Sequence, residues 1–184
     1  STKTDSFRKA FPDRFFNVGI AEANMVGIAA GLASCGKIPF ISSFACFMMC
    51  KGYDQFRMAV AFPELNVKVV ASHGGISVGE DGASQQSIED FALAASLPNF
   101  TVLSPADEIS TEVLVKKIAV HKGPVFMRTG RPKTPIIYKP GTDFEIGKGV
   151  KLRKGEDLTI FANGLLVFEA LVAAEELAEK GIQA

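Results

Sequence analysis

The sequence predicts an α/β fold: a parallel β-sheet with helices on both faces. Three observations carry this. Short apolar, partly β-branched runs recur at Phe15–Gly19, Ile38–Ser42, Val67–Ser72, Thr101–Ser104 and Val125–Arg128. Helical patterns separate them, near Glu22–Ser34, Met48–Phe62, Ser84–Leu97 and Ala106–Val120. Pro98, Pro105 and Pro124 punctuate the joins. Strands alternating with helices are the mark of a parallel sheet covered on both sides.

Each element has a local reason. Phe15–Gly19 is a strand-like run that ends at a glycine. Glu22–Ser34 is almost wholly apolar, and Gly27 and Gly31 form a GxxxG pair that in a soluble chain means close helix packing. Ile38–Ser42 leads to Phe44 and Phe47, and Val67–Ser72 leads to His73 and a glycine-rich stretch, residues 74–82. That stretch matches neither GxGxxG nor GxxxxGK[ST], so neither a dinucleotide fingerprint nor a P-loop is supported. Pro132 to Lys139 reads as an extended connector, which places a domain boundary near residue 140. Residues 1–140 form one domain in this reading. Residues 141–184 begin a second α/β domain, with Phe144–Leu152 and Leu158–Ala162 as strands and Leu165–Lys180 as an amphipathic helix capped by Gly181. The chain opens without methionine, and Ile182-Gln183-Ala184 reads as a strand just begun, so a fragment is expected.

Composition bounds the function. The 184 residues carry a formal net charge of +0 and 47% hydrophobic residues, ample for a packed core. Balanced charge gives no reason to expect nucleic acid or an anionic membrane as partner. The most apolar stretch, Met25 to Cys35, falls short of the roughly 20 residues a spanning helix needs. The opening residues do not read as a signal peptide, so none is expected. Cys35, Cys46 and Cys50 make no CxxC pair, so they read as free, buried thiols in a reducing cytoplasm. Cys46 and Cys50 are spaced to share a helical face, but two thiols do not make a zinc site.

The chemistry-bearing residues fall just past strand ends. Glu22 follows the first strand, Phe44 and Phe47 the second, His73 and Asp81 the third, and Arg128 ends the fifth. In a parallel sheet these positions share one rim, where such sheets bind ligands. A carboxyl, two aromatics, an imidazole, an Asp and an Arg together suit an aromatic cofactor and an anionic substrate. Each has a plainer alternative taken alone: a first-turn dipole partner for Glu22, core packing for Phe44 and Phe47, a structural histidine for His73, ion-pair partners for Arg128 and Arg131. For Glu22, desolvation in a dry site outweighs the helix start's preference for the anion, so it is expected to hold or share a proton.

Taken as a set, Ile20-Ala21-Glu22-Ala23-Asn24-Met25, Ser43-Phe44-Ala45-Cys46-Phe47, His73 with Gly79-Glu80-Asp81-Gly82-Ala83-Ser84-Gln85, and Met127-Arg128-Thr129 resemble transketolase. The resemblance covers that family's pyrimidine-binding domain and runs into the start of its C-terminal domain. It implies that Glu22 hydrogen-bonds the aminopyrimidine of thiamine diphosphate, favouring the tautomer that takes the proton from the thiazolium carbon. Phe44 and Phe47 match the aromatic wall against that ring. His73 and Arg128 match residues holding the sugar phosphate, and Asp81 one contacting a donor hydroxyl. Ser1 falls where some members place a phosphate-contacting serine. Gln85 stands where many members have histidine; it can still hydrogen-bond the cofactor but cannot act as a cationic acid. Cys50 replaces a larger aromatic or basic side chain near the pyrimidine. No Gly-Asp-Gly followed about thirty residues later by Asn is present, the motif that in this family holds diphosphate and metal on another domain. The implied protein therefore needs Mg²⁺ or Ca²⁺ held by a diphosphate-binding domain or N-terminal subunit, as a homodimer or heterotetramer acting on sugar phosphates. The rivals are 1-deoxyxylulose-5-phosphate synthase, the beta subunit of a 2-oxoacid dehydrogenase, and a non-catalytic module that kept the fold.

Overall fold

The computed structural model describes residues 3–184, which fall into two compact units. The first runs to Val102 and includes Lys122–Arg131; the second comprises Leu103–His121 and Pro132–Ala184.

The elements in chain order are α1 (Asp5–Ala10), α2 (Glu22–Ser34), β1 (Phe40–Ile41), α3 (Ala45–Gln55), β2 (Lys68–Ala71), α4 (Asp90–Ser96), β3 (Thr101–Leu103), α5 (Glu108–Val120), β4 (Val125–Arg128) and α6 (Leu166–Glu179). The strands form one sheet in the order β1-β2-β4-β3. β1 and β4 both pair with β2 in parallel, Ile41 opposite Val69 and Val69 opposite Phe126. The bridge Phe44↔Ser72 extends the first pairing past the end of β1, towards the rim.

The core of the first unit holds Val26, Met48, Met49, Phe56, Val60, Val67, Val69 and Phe126, all fully buried. Each such side chain contributes about 1.5–3 kcal/mol by leaving water. Gly52 lets α3 approach α2: a Cβ there would lie 3.1 Å from Val26 Cγ2 and 3.3 Å from Phe56 Cε2. The close packing expected at Gly27 and Gly31 is absent within the described residues, since a Cβ at either would meet nothing within 4 Å. α3 passes directly into a π-helical stretch, Phe56–Ala61.

Several expected elements differ. Phe15–Gly19 forms no strand: Gly19 N–H donates to Asn17 Oδ1 at 3.0 Å, a local turn that competes with a ladder, and Gly19 takes φ +77. The helix expected over Ser84–Leu97 begins only at Asp90, because Ser87 pairs with Gly74 and Gly75 instead. Of the cysteines only Cys46 is buried; Cys35 and Cys50 are exposed, and all three are free. Their shared helical face is real: Cys46 Sγ donates to Gln85 O at 3.3 Å and Cys50 Sγ to Glu89 Oε1 at 3.0 Å.

In the second unit α5 starts at a capping box, Asp107 with Ser110. The Asp107 carboxylate also accepts the backbone N–H groups of Ile137 and Tyr138, each at 2.9 Å, which fixes the connector. Tyr138 packs edge-on against Phe144 at 4.7 Å. Phe144–Leu152 and Leu158–Ala162 form no strands, and Val150, Leu152, Leu158 and Ile160 are exposed. Strands without ladder partners do not persist. Residues 182–184 lie beside Gly155–Asp157 instead: Asp157 N–H donates to Gln183 O at 3.0 Å, and Gln183 N–H to Asp157 Oδ2 at 2.7 Å.

Candidate active site

Glu22 opens α2 without a side-chain cap and is 6% exposed. Its Oε1 accepts the Ser43 hydroxyl at 3.3 Å, and its Oε2 lies 3.9 Å from Lys51 Nζ. The same ammonium stands 4.7 Å from the centroid of Phe47. Lys51 is more than half exposed, so this pair is worth only about 0–1 kcal/mol and yields readily.

From Phe47 the contacts run on without a break. The Phe44 and Phe47 rings lie within 8° of parallel, 5.7 Å apart. His73 stacks on Phe44 at 3.7 Å. The left-handed backbone of His73, φ +61, is uncommon for a residue with a side chain and marks strain held by its surroundings. Ser72 Oγ holds its Nδ1 at 2.9 Å, while Nε2 lies 3.9 Å from Asp81 Oδ2. Burial pushes His73 below the ordinary histidine value, opposed by Asp81 and reinforced by Arg131, so the imidazole is neutral at pH 7.

Arg131 clamps the glycine-rich turn. It reaches Asp81 Oδ2 at 3.1 Å, Glu80 Oε1 at 2.6 Å and the Val78 carbonyl at 3.0 Å. Its hydrogen bond holds Glu80 at about 2, well below the usual carboxylate range. Gln85 is half-buried, fixed by its own N–H to Gly82 O at 3.1 Å and by the Cys46 thiol on its carbonyl.

Arg128, at the end of β4, lies 3.2 Å from Asp90 Oδ2 through Nε and donates from Nη2 to Ser87 O at 3.2 Å. Its guanidinium carbon stands 4.4 Å over Phe91. Glu22, Phe44, Phe47, His73, Asp81, Gln85 and Arg128 thus all belong to the first unit, and contacts connect Glu22 through Lys51 to Asp81. Ser1 lies outside the described residues. Sequence reasoning missed Ser43, Lys51 and Asp90. Ser43 was within reach, standing next to Phe44 past a strand end; Lys51 and Asp90 gave no local signal. Among the described residues no three His, Cys, Asp or Glu side chains gather to hold a metal ion, and no helix is long and apolar enough to cross a membrane.

A buried helix-start carboxylate, held by Ser43 past the end of β1 and linked through Lys51 to two near-parallel rings, fits a flat nitrogen heterocycle. The fold is that of the thiamine-diphosphate pyrimidine-binding type, shared with solved transketolases. The family model "Transketolase, pyrimidine binding domain" matches residues 1–136, and "Transketolase, C-terminal domain" matches residues 147–184. The chain belongs to the transketolase family.

Similar proteins include the "Putative transketolase C-terminal section" of Methanocaldococcus jannaschii, 53% identical over 186 residues, covering 100% of this chain and 59% of that protein. Human transketolase is 43% identical over 185 residues, covering 99% of this chain and 29% of its own length. A 6-deoxy-6-sulfo-D-fructose transketolase subunit from a Clostridium species is 43% identical over 178 residues, covering 97% and 55%. Among solved structures, a split-gene transketolase described as an inactive beta4 tetramer has TM-score 0.91 and 48% identity, covering 100% of this chain and 59% of that one. A Pichia stipitis transketolase in complex with sedoheptulose 7-phosphate has TM-score 0.79 and 28% identity, covering 90% and 25%. The chain therefore spans less than two thirds of the length of these three sequence relatives, from 59% down to 29%.

Proposed function

We propose that this chain is the pyrimidine-binding portion of a working transketolase. Joined by a diphosphate-binding domain or N-terminal subunit, it transfers a two-carbon ketol unit from a ketose phosphate to an aldose phosphate. The observation that carries the reading is Glu22, a 6%-exposed carboxylate whose second oxygen has only a weak, displaceable ammonium beside it. That oxygen is open to a ring nitrogen carrying a proton.

The family's cofactor, thiamine diphosphate, supplies when bound a carbon nucleophile for the ketose carbonyl. The chain's residues do the rest. Glu22 shares a proton with the ring nitrogen across one hydrogen bond and so fixes its protonation, with the Ser43 hydroxyl orienting the carboxyl group. Phe44 and Phe47 set the plane of the ring and exclude water from its face. Gln85 donates to the cofactor or substrate as a neutral group. Asp81 accepts a donor hydroxyl, and neutral His73 together with the cationic Arg128 binds the sugar phosphate. Arg131, spent on Glu80 and Asp81, holds the turn that presents Asp81.

The reading includes a domain boundary near residue 140, supported by family matches that end at 136 and resume at 147. It also includes Mg²⁺ or Ca²⁺ on the partner domain, assembly as a homodimer or heterotetramer, and a cytoplasmic location. A split-gene relative described as an inactive tetramer of one subunit type supports the need for a partner. The test is donor choice: the full-length protein with its partner, thiamine diphosphate and Mg²⁺ should use a ketose phosphate and not pyruvate. Turnover of pyruvate alone would assign a different thiamine-diphosphate enzyme.

A further inference from the structure

The two rim arginines are held by carboxylates in different ways. Arg131 is engaged with Glu80, Asp81 and the Val78 carbonyl. Arg128 is fixed along one side only. Nε faces Asp90 Oδ2 and one Nη2 hydrogen faces Ser87 O, each pair at 3.2 Å. A guanidinium has five N–H groups, so the Nη1 pair and one Nη2 hydrogen remain, the edge that forks an anion. The side chain is 18% exposed, enough for that edge to meet a ligand.

Asp90 is 1% exposed, and neither of its oxygens accepts a hydrogen bond; its close partner is the Arg128 charge. Burial raises Asp90 above the ordinary carboxylate range, with Arg128 opposing. A buried ion pair of this kind is seldom better for stability than an apolar pair of equal volume. The path of the Arg128 side chain is also prepared: it runs across Gly74, where a Cβ would collide with Arg128 Nε, Cδ and Cγ, and a Cβ on Gly75 would approach Nη2 at 2.7 Å. Phe91 supports the guanidinium from a face.

We propose that Asp90 is a positioning residue for the sugar-binding site: it anchors Arg128 by Nε so that the outer Nη edge is held for the anionic group of the substrate, in a channel that Gly74 keeps open. This rests on the reading of Arg128 as the phosphate contact. Without the Asp90 charge the guanidinium keeps only the Ser87 carbonyl and the Phe91 face, can pivot about Nη2, and the two-pronged contact degrades to a single one.

The experiment uses the full-length protein assembled with its diphosphate-binding partner, and compares an aldose phosphate with the same aldose lacking phosphate as acceptor. Arg128→Met tests the underlying reading: its preference for the phosphorylated acceptor should collapse. Asp90→Asn should raise KM for the aldose phosphate about 10-fold, the loss of one charge-assisted contact, with kcat within about twofold and the KM of the unphosphorylated aldose unchanged. Gly74→Ala should reproduce that split by displacing Arg128 without altering any charge; if Asp90→Asn does not accumulate folded, Asp90→Ser, which also removes the charge, decides by the same split. Adding Asp90→Asn to Arg128→Met should change nothing further. The inference is overturned if Arg128→Met abolishes the preference while Asp90→Asn, or Asp90→Ser in its place, leaves it intact or raises both KM values equally, whatever Gly74→Ala does. If Arg128→Met leaves the preference intact, the phosphate reading itself fails, and the inference with it.

Discussion

Asp107 offers the sharpest stability prediction. It is 3% exposed, and its carboxylate accepts four hydrogen bonds: Ser110 N–H at 2.8 Å, Ser110 Oγ at 2.7 Å, and Ile137 and Tyr138 N–H at 2.9 Å each. Asp107→Ala removes the cap of α5, about 1 kcal/mol, and strands two connector amides at about 1–3 kcal/mol each where water cannot reach. Ile137 and Tyr138 are half-buried, so water recovers part of that loss; the expected total is about 3–5 kcal/mol. Asp107→Asn keeps one oxygen and should lose roughly half as much. The pH dependence has a definite sign. Burial pushes Asp107 upward, but the Tyr138, Ser110 and Ile137 donors outweigh it and the net effect is downward. A depressed carboxylate contributes fully above its unfolded value, about 3.9, and the contribution disappears as pH falls through the folded value. The assay is urea unfolding between pH 3 and 7 combined with amide hydrogen exchange. Amide protection of Ile137 and Tyr138 should fall selectively in both variants. Loss under about 1 kcal/mol with those two amides still protected would refute the reasoning.

Two further predictions concern groups outside the proposed chemistry. Lys68 is fully buried in β2, donates to Gly123 O at 2.6 Å, and burial lowers it to about 8. The folded state thus releases its proton first, so stability should rise between pH 8 and about 10.5 by roughly 2–3 kcal/mol; Lys68→Met should flatten that rise, and an unchanged slope would contradict the assignment. Burial and Glu89 raise the Cys50 thiol to about 11. Although exposed, it should alkylate at pH 8 at least tenfold more slowly than free glutathione, by roughly the loss in thiolate fraction, and Glu89→Gln should speed it. Mass spectrometry of iodoacetamide adducts decides, and a rate equal to glutathione would sink the claim.

The parallel sheet was legible because β2, β3 and β4 are apolar runs bounded by proline and glycine, and their limits moved by a residue or two at most. Phe15–Gly19 misled because apolar composition does not reveal that Asn17 closes a turn on Gly19. The 144–162 segment misled for the converse reason: its pattern is strand-like, but pattern supplies no ladder partner. Strand ends pointed to Phe44, Phe47, His73, Asp81 and Arg128, which lie in one unit; Glu22 lies in the same unit but follows a turn at Gly19 where a strand was expected. The supports stayed hidden because their partners lie far along the chain: Asp90 meets Arg128 across 38 residues, and Lys51 meets Glu22 across 29. No periodicity encodes such pairs.

The most direct test of the central claim follows the C2 proton of thiamine diphosphate bound to the assembled full-length protein, by quenched-flow deuterium exchange and NMR. If the Glu22 carboxylate controls protonation of the pyrimidine, Glu22→Gln should slow exchange by about 10²–10⁴-fold while the cofactor remains bound. Exchange as fast as in the unsubstituted protein, with equal cofactor occupancy, would contradict the account.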